Sequence, residues 1–593
     1  MRAPLPPRTF ERPFDLIVIG AGINGAGIAR DATLRGLSVL LVDKGDVGAG
    51  TTSRSTRLVH GGLRYLEHFE VPLVRESLRE RETLLHIAPH LVHPLSFLLP
   101  IYEEHKRRPA LIRVGMMAYD ALSLDKSMER HRMLSRDEAL RREPGLRPEG
   151  LRGAAAYYDA QAAYPERLAL ENALDARRLG AVVLPYMRVT GLQRGSGGRV
   201  TGVALHDELH DAEHVARGAL VVNATGPWVD ELLAEGEGGA PAAPRLIGGT
   251  KGSHLVVEPF PGAPREAVYA EAVGDGRPYF VVPWNDLYLI GTTDTRYDGD
   301  LDHVVATDDE VAYLIEETNR LIPGAALTPE LVLYTYAGVR PLPAPGVGAG
   351  SGRGAGDEGA ITRSHVIHDH AATRDPAEKV EGLLSIVGGK ITTYRRLSEE
   401  TVDLAVKKLG RKADKCRTHQ VPLPGGTAYP FEGFRERFRV TSGLPLETAD
   451  RLLRIYGTRA AEALDFADGA PELREPFDAD TGAIGAEVVF SLRTELAETL
   501  ADVVQRRTLV GYGAHAGLRA VDAAAEIAVR HLGWSDERAA READDFRAQA
   551  ADALRPRADA AVADPAPAED AVRDARPAVL AGAARALRRR SRS

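Results

Sequence analysis

Three glycines spaced G-x-G-x-x-G, Gly20, Gly22 and Gly25, with Gly27 behind them, form the first constellation in this sequence with chemistry to do. They fall in DLIVIGAGINGAG, and their spacing suits a pyrophosphate. The first glycine permits a tight turn, the second lets a phosphate approach the backbone, and the third lets a helix pack close against a strand. Asp43 follows 23 residues after Gly20, where a carboxylate accepts a ribose 2′-hydroxyl and repels a 2′-phosphate. The motif disfavours NADP and leaves NAD and FAD open. A second constellation is Gly388-Gly389-Lys390, two glycines that admit a cofactor to the backbone, followed by a cation and then a helical run. A helix N-terminus there favours negative charge on a bound group. His60, beside Gly61-Gly62, and His254 can each take a proton near neutral pH. The HVIHDH run carrying His365, His368 and His370 has no second ligand group near it and reads as strand or loop rather than a metal site.

These residues need elements to hold them. Leu16–Ile19 reads as a short buried strand, Ile23 to about Gly36 as a helix, and Leu37–Val42 as the strand that delivers Asp43. Further strand-like runs are Ala219–Ala224, His254–Glu258, Tyr279–Pro283 and Leu287–Gly291, the first leading into NATGPW (Asn223–Trp228), a strand end fit to lie against a dinucleotide. From about 440 the texture turns helical. Pro445 can open one helix and Gly457 close it. Val489, Leu492, Leu496, Leu500 and Val503 predict a second, over Glu487–Arg507, with one buried face. The flanks read as unstructured: a flexible leader over 1–13, a glycine-rich surface loop at 344–360, and a disordered tail from 551 to 593. The tail ends RALRRRSRS, whose arginines can aid attachment to anionic lipid.

The bulk composition fits a soluble globular chain. Of 593 residues 44% are hydrophobic and 27% charged, and 75 basic against 84 acidic residues give a net −9, which argues against a nucleic-acid partner. Cys416 is the single cysteine, so an intrachain disulfide and a cysteine-based metal site are excluded and a cytoplasmic setting fits best. No apolar window reaches membrane-spanning length, while peripheral attachment through an amphipathic or basic surface stays open.

Directly after Asp43 comes TTSRSTRLVHGGLRYLEH (Thr51–His68), dense in hydroxyls, cations and glycines. Together with the fingerprint it resembles the FAD-dependent glycerol-3-phosphate dehydrogenase family. VVNATGPWVD (Val221–Asp230), KGSHLVV (Lys251–Val257), IGTTDT (Ile290–Thr295), YAGVRPL (Tyr336–Leu342), ITR (Ile361–Arg363) and GGKITTYRRL (Gly388–Leu397) agree in order. The resemblance spans about residues 14–425, and the 344–360 insert and the tail depart from it.

The resemblance implies an α/β fold: a doubly wound, Rossmann-like FAD-binding domain, discontinuous in sequence, interleaved over 14–430 with a β-sheet-rich substrate domain, and a C-terminal helical domain over about 435–550. Whether the helices pack on the core or make a homodimer is not readable. It implies that FAD is held by Gly20, Gly22, Asn24, Gly25, Asp43, Thr51, Thr52, Thr56, Arg57, Leu58, His60, Gly62, Ala224, Gly226, Gly389, Lys390 and Thr392. It places Arg64, Tyr65, His254, Thr293, Arg340, Arg363 and Lys390 around the substrate, with His60, His254, Arg64, Arg340 and Lys390 as catalytic candidates. The guanidinium fork suits a phosphate dianion, and Pro341 holds Arg340 extended. The implied reaction is oxidation of sn-glycerol 3-phosphate to dihydroxyacetone phosphate, a hydride passing from C2 to flavin N5 and electrons leaving to a quinone at a membrane surface. Two alternatives stand beside it: an oxidase that passes electrons to dioxygen and releases peroxide, and a flavin-binding protein without turnover. Neither the acceptor nor the choice between the two histidines is fixed by the sequence.

Overall fold

A computed structural model describes residues 2–63, 70–105, 109–123, 127–235, 245–347, 365–372 and 379–555. The expectations for Arg64, Tyr65 and Arg363, for the loop from 348 onward and for the tail beyond 555 lie outside these residues.

The apolar run Phe14–Ile19 is buried throughout, as the central strand of a sheet covered on both faces must be. It pairs in parallel with Val39–Val42 on one side and Ala212–Asn223 on the other, setting Ile17 opposite both Leu40 and Val221. Val182–Leu184 and Leu383–Val387 extend the parallel sheet at its two sides, and Val366–Asp369 closes one edge antiparallel. That edge strand is the HVIHDH run, with His365 on Glu400 and His370 on Ser385. The sheet is thus assembled from distant parts of the chain. The helix Ile23–Leu34 leaves the central strand, ends before Gly36 and packs on the helices Pro165–Arg178 and Tyr394–Leu409.

A second sheet of ten strands is mostly antiparallel. Its strands Thr250–Val257, Pro278–Trp284, Leu287–Gly291 and Val332–Arg340 come from the interleaved part of the chain, and Val92–Tyr102 and Leu151–Ala162 complete its broad middle. The fold is therefore the expected doubly wound α/β domain with an inserted sheet and C-terminal helices.

Four boundaries differ from expectation. The leader is not loose: Leu5 and Phe10 pack on the core beneath the first sheet, and Arg2 pairs with Asp207 at 2.9 Å. The 344–360 loop starts later, because Ala344 is buried and its N–H bonds Leu246 O at 2.8 Å. The last helix, Asp536–Leu554, runs past 551 because Leu554 is only 1% exposed and anchors its end. The predicted helix Glu487–Arg507 is broken. Gly485–Thr494 stops, Leu496 turns to φ 60°, and a short turn at Leu500–Asp502 leads into a π-helical turn over Val503–Arg507. The cause is Glu495, whose carboxylate receives Arg167 at 2.6 and 2.8 Å and Arg459 at 2.6 Å in the interior. Leaving such buried charges unpaired would cost more than a helix interruption.

Nor are the C-terminal helices a separate body. Leu452, Tyr456, Val488, Tyr512 and Phe546 share one apolar core with Phe97, Tyr157, Trp284 and Tyr336 of the second sheet. Among the described residues no helix is long and apolar enough to cross a membrane.

Candidate active site

A cleft of about 1080 Å³ runs from the C-terminal ends of the parallel strands to the face of the second sheet. Such crevices beyond strand ends are where open α/β sheets bind ligands. At the first strand's end Gly20 takes φ 98°, and a Cβ there would meet Ala224 O at 2.6 Å. Gly25 does not line the cleft. A Cβ on it would lie 1.8 Å from Gly20 O, so it sets the helix close to the turn. Asp43 accepts the N–H groups of Ala21 at 2.6 Å and Gly45 at 2.9 Å, and burial still pushes its carboxyl up to about 6. Thr52 Oγ1 accepts the Ile23 N–H at 3.1 Å, tying the Thr51–Arg54 turn over the helix N-terminus, and Thr51 Oγ1 bonds Val339 O at 2.8 Å.

The far wall is Gly388–Thr392. Asn24 Nδ2 donates to Gly388 O at 3.3 Å, while its Oδ1 is buried with no hydrogen-bond partner among the described residues. Trp228 Nε1 is in the same position, beneath Lys44 Nζ, which stands 4.8 Å from its ring. Ala224, Gly226, Gly389 and Thr392 also line the cleft. Orphaned donors and acceptors along a glycine-built cradle fit a bound dinucleotide, whose phosphates, ribose and amide edges would satisfy them.

On the second sheet His254 sits between Gly291 and Tyr336, its ring 4.8 Å from that of Tyr336 and 25° from parallel. Nε2 shares a 2.9 Å hydrogen bond with Thr56 Oγ1, and Nδ1 is buried without a partner among the described residues. Burial first, then the charges of Arg340 and Arg57, hold its pKa well below the ordinary histidine value, so the ring is neutral. Arg340, at the end of the next strand, places Nη1 3.1 Å from Asp294 Oδ1 and Nη2 2.8 Å from Thr292 Oγ1. Lys390 and His60 line the same cleft. The His60 N–H donates to Thr392 Oγ1 at 3.2 Å, which fixes its backbone against the far wall.

Two of the expected side chains are engaged away from the cleft. Thr293 is turned away, donating to Glu310 at 2.7 Å and accepting the Ser253 N–H at 2.9 Å, and Thr292 takes its place in the cleft. Arg57 touches the cleft, but its guanidinium is spent on Glu166 at 2.8 and 3.0 Å and stacks between Trp284 and Tyr512. Leu58 and Thr56 line the cleft, as does Gly62. Sequence reasoning passed over Asp294, Thr292 and Arg54. Arg54 lines the cleft with no hydrogen-bond or ion-pair partner among the described residues, and burial lowers its pKa. Its signal was present in TTSRSTR, where it is the one cation not followed by an apolar residue.

A doubly wound sheet, a glycine turn with its acid and a cation-bearing second sheet define a dinucleotide-dependent oxidoreductase. The chain belongs to the FAD dependent oxidoreductase family, whose profile matches residues 15–395, and residues 416–539 match the C-terminal domain of alpha-glycerophosphate oxidase. FAD is accordingly its cofactor. The chain is 46% identical over 544 residues to glycerol-3-phosphate dehydrogenase of Synechocystis sp., covering 90% of this chain and 95% of that one. It is 31% identical to alpha-glycerophosphate oxidase of Streptococcus pyogenes, with 91% and 95% covered. Among solved structures, glycerol-3-phosphate dehydrogenase from Bacillus halodurans in complex with FAD aligns with a TM-score of 0.72 at 29% identity, covering 92% of this chain and 95% of that one.

Proposed function

We propose that this chain oxidises sn-glycerol 3-phosphate to dihydroxyacetone phosphate and passes the electrons to a quinone at the cytoplasmic face of a membrane. The observation that carries the reading is the placement of Arg340, Lys390 and a neutral His254 in the cleft whose other end is the dinucleotide turn. FAD, when bound, supplies the two-electron acceptor for the C2 hydrogen.

The rest is work for the chain. Arg340 and Lys390 bind the phosphate dianion through charge-assisted hydrogen bonds. Asp294 and Thr292 hold the Arg340 fork in place, so the phosphate meets a preset donor. Arg64, Tyr65 and Arg363 belong to the same grip in this reading. His254 takes the C2 hydroxyl proton at Nε2, beside Thr56 Oγ1, which also lines the cleft. A ring held neutral is free to accept a proton, and a phosphate dianion on Arg340 offsets one of the charges that lower its basicity, bringing it toward the range a general base needs. Tyr336, stacked on the ring, fixes its plane. His60 positions the far wall instead of exchanging protons.

The alternative, an oxidase using dioxygen, draws support from the relative named alpha-glycerophosphate oxidase. Anaerobic addition of glycerol 3-phosphate to the yellow protein tests the reading: bleaching with glycerol 3-phosphate and not with glycerol is expected. No bleaching with either leaves a flavin-binding protein without turnover. Stoichiometric peroxide in air would favour the oxidase.

A further inference from the structure

Glycerol 3-phosphate presents a phosphate and two hydroxyls, and the side chains assigned above serve the phosphate and the C2 hydroxyl. The C1 hydroxyl remains. The threonines on that side of the cleft are spent. Thr293 donates to Glu310, Thr292 donates to Thr293 O at 3.0 Å while receiving Arg340, and Thr56 shares its hydroxyl with His254. A hydroxyl buried without a partner is costly, so the cleft wall must supply another polar group.

Tyr157, in the strand Leu151–Ala162, lines the cleft and is only 6% exposed. Its hydroxyl makes no hydrogen bond among the described residues. Other tyrosines of the same apolar core are paired: Tyr119 on Asp159, Tyr164 on Asn285, Tyr334 on Tyr512 O and Tyr336 on Ser55 O. Buried phenols find partners, and the cleft is where Tyr157 must find one. Solvent serves it while the cleft is open, and a ligand that expels the solvent has to replace it. Burial first, then Asp159 and Tyr269, hold its pKa well above the ordinary tyrosine value, so the hydroxyl keeps its proton and donates. Phe97 stacks on the ring with centroids 5.3 Å apart and 21° from parallel, and Tyr119 meets it edge-on at 6.2 Å. The donor is therefore held in place before a ligand arrives.

The same strand runs toward the reacting groups. Asp159, two residues on and so on the same face, also lines the cleft and accepts the Gly61 N–H at 3.2 Å, next to His60. Gln161 pairs with Leu58, two residues past the Thr56 that bonds His254. Trp284 Nε1 crosses to Ala163 O at 3.0 Å, so the sheet curls and its distant strands meet around the cleft. We propose that Tyr157 is a specificity residue whose Oη donates to the C1 hydroxyl of sn-glycerol 3-phosphate. The assignment rests on the reaction proposed above and adds to it the group that tells this substrate from its 1-deoxy counterpart.

The test removes one oxygen from the protein and one from the ligand. Full-length holoprotein and Tyr157→Phe are compared on glycerol 3-phosphate and on 2-hydroxypropyl phosphate, which lacks only the C1 hydroxyl. Wild type should prefer glycerol 3-phosphate by about tenfold or more in kcat/KM, since a site built for a hydroxyl rejects the ligand without it. Tyr157→Phe should lower kcat/KM about tenfold on glycerol 3-phosphate and less than about twofold on the deoxy substrate, the mark of a pairwise interaction. Binding without turnover should repeat the pattern. Titrated by flavin absorbance, the Kd for dihydroxyacetone phosphate should rise about fivefold to tenfold in the variant, and that for hydroxyacetone phosphate should not move. FAD content and Tm should match wild type. Equal loss on both substrates, no loss on either, or a wild type without preference between them would overturn the assignment, and the last needs no variant. Slowed turnover confined to a quinone acceptor would overturn it too, giving the hydroxyl to the acceptor. Wild-type flavin that glycerol 3-phosphate does not bleach would sink the reaction itself, and Tyr157 with it.

Discussion

Arg340 enters the cleft with part of its fork already engaged by Asp294 and Thr292, so a phosphate completes its hydrogen bonding instead of supplying all of it. Arg340→Ala should remove one charge-assisted donor to the phosphate, a loss of about 2–5 kcal/mol, or roughly 30-fold to several thousand-fold in kcat/KM. Arg340→Lys should regain only part, since a point charge lacks the fork. FAD content should be normal and the preference for glycerol 3-phosphate over glycerol should narrow; equal loss on both substrates would place Arg340 in the service of the flavin or the fold. Asp43 offers a test on the cofactor side. Its carboxyl is raised by burial to about 6 in the protein without ligand, against about 3.9 in an unfolded chain. The stability tied to that shift is fully present below about pH 3.9 and is lost as pH rises through about 6. A ribose hydroxyl donating to Asp43 favours the carboxylate, so FAD affinity moves the opposite way. Fluorescence titration of the apoprotein should show FAD binding weaken several-fold from pH 7 to pH 5, and Asp43→Asn should flatten that profile. A wild-type profile already flat would mean that Asp43 does not meet the ribose.

The elements around these residues were legible in unequal degree. The strand, glycine turn, helix and Asp43 could be read because each residue answers to a local constraint: a tight turn, a close approach, a burial run. The exchange of Thr293 for Thr292 could not, because it depends on Glu310, seventeen positions on, drawing one of two adjacent hydroxyls out of the cleft. The break at Glu495 was hidden for the same reason, its arginines lying at 167 and 459. Asp46 shows how far such links reach. It sits three residues past Asp43, is buried, and receives Arg507 at 2.7 Å through two nitrogens and Arg506 at 2.5 Å from the π-helical turn. Asp46→Asn should leave two interior cations short of a counter-charge, costing about 3–5 kcal/mol, and loosen the loop that presents Asp43. Thermal melts should show a lower Tm together with faster FAD loss on dilution. A lower Tm with unchanged FAD retention would separate the C-terminal helices from the cofactor loop.

Across the whole molecule the C-terminal helices are part of the enzyme's body, and the end of the last one is also part of the cleft. Asp552 and Ala553 line it. Leu554 is 1% exposed, its carbonyl accepts Thr335 Oγ1 at 3.4 Å, and Arg555 Nη1 reaches Ala306 O at 2.7 Å. Composition alone placed these residues in a tail, since alanine, arginine and aspartate carry no sign of burial until a helix periodicity is extended one more turn, through Phe546, Ala550 and Leu554. A chain ending at Arg555 should therefore keep FAD, Tm and soluble-acceptor activity. A chain ending at Ala550 should not, because it removes the Leu554 plug and opens the cleft wall beside His303. The point variant Leu554→Ala isolates the packing share, at about 2–5 kcal/mol, against a total stability of only about 5–15 kcal/mol for a cooperative unit. Comparing the two truncations by Tm, bound FAD and dye reduction decides the boundary. If the chain ending at Ala550 matches the chain ending at Arg555 in all three, the last turn is dispensable and contributes to neither core nor cleft.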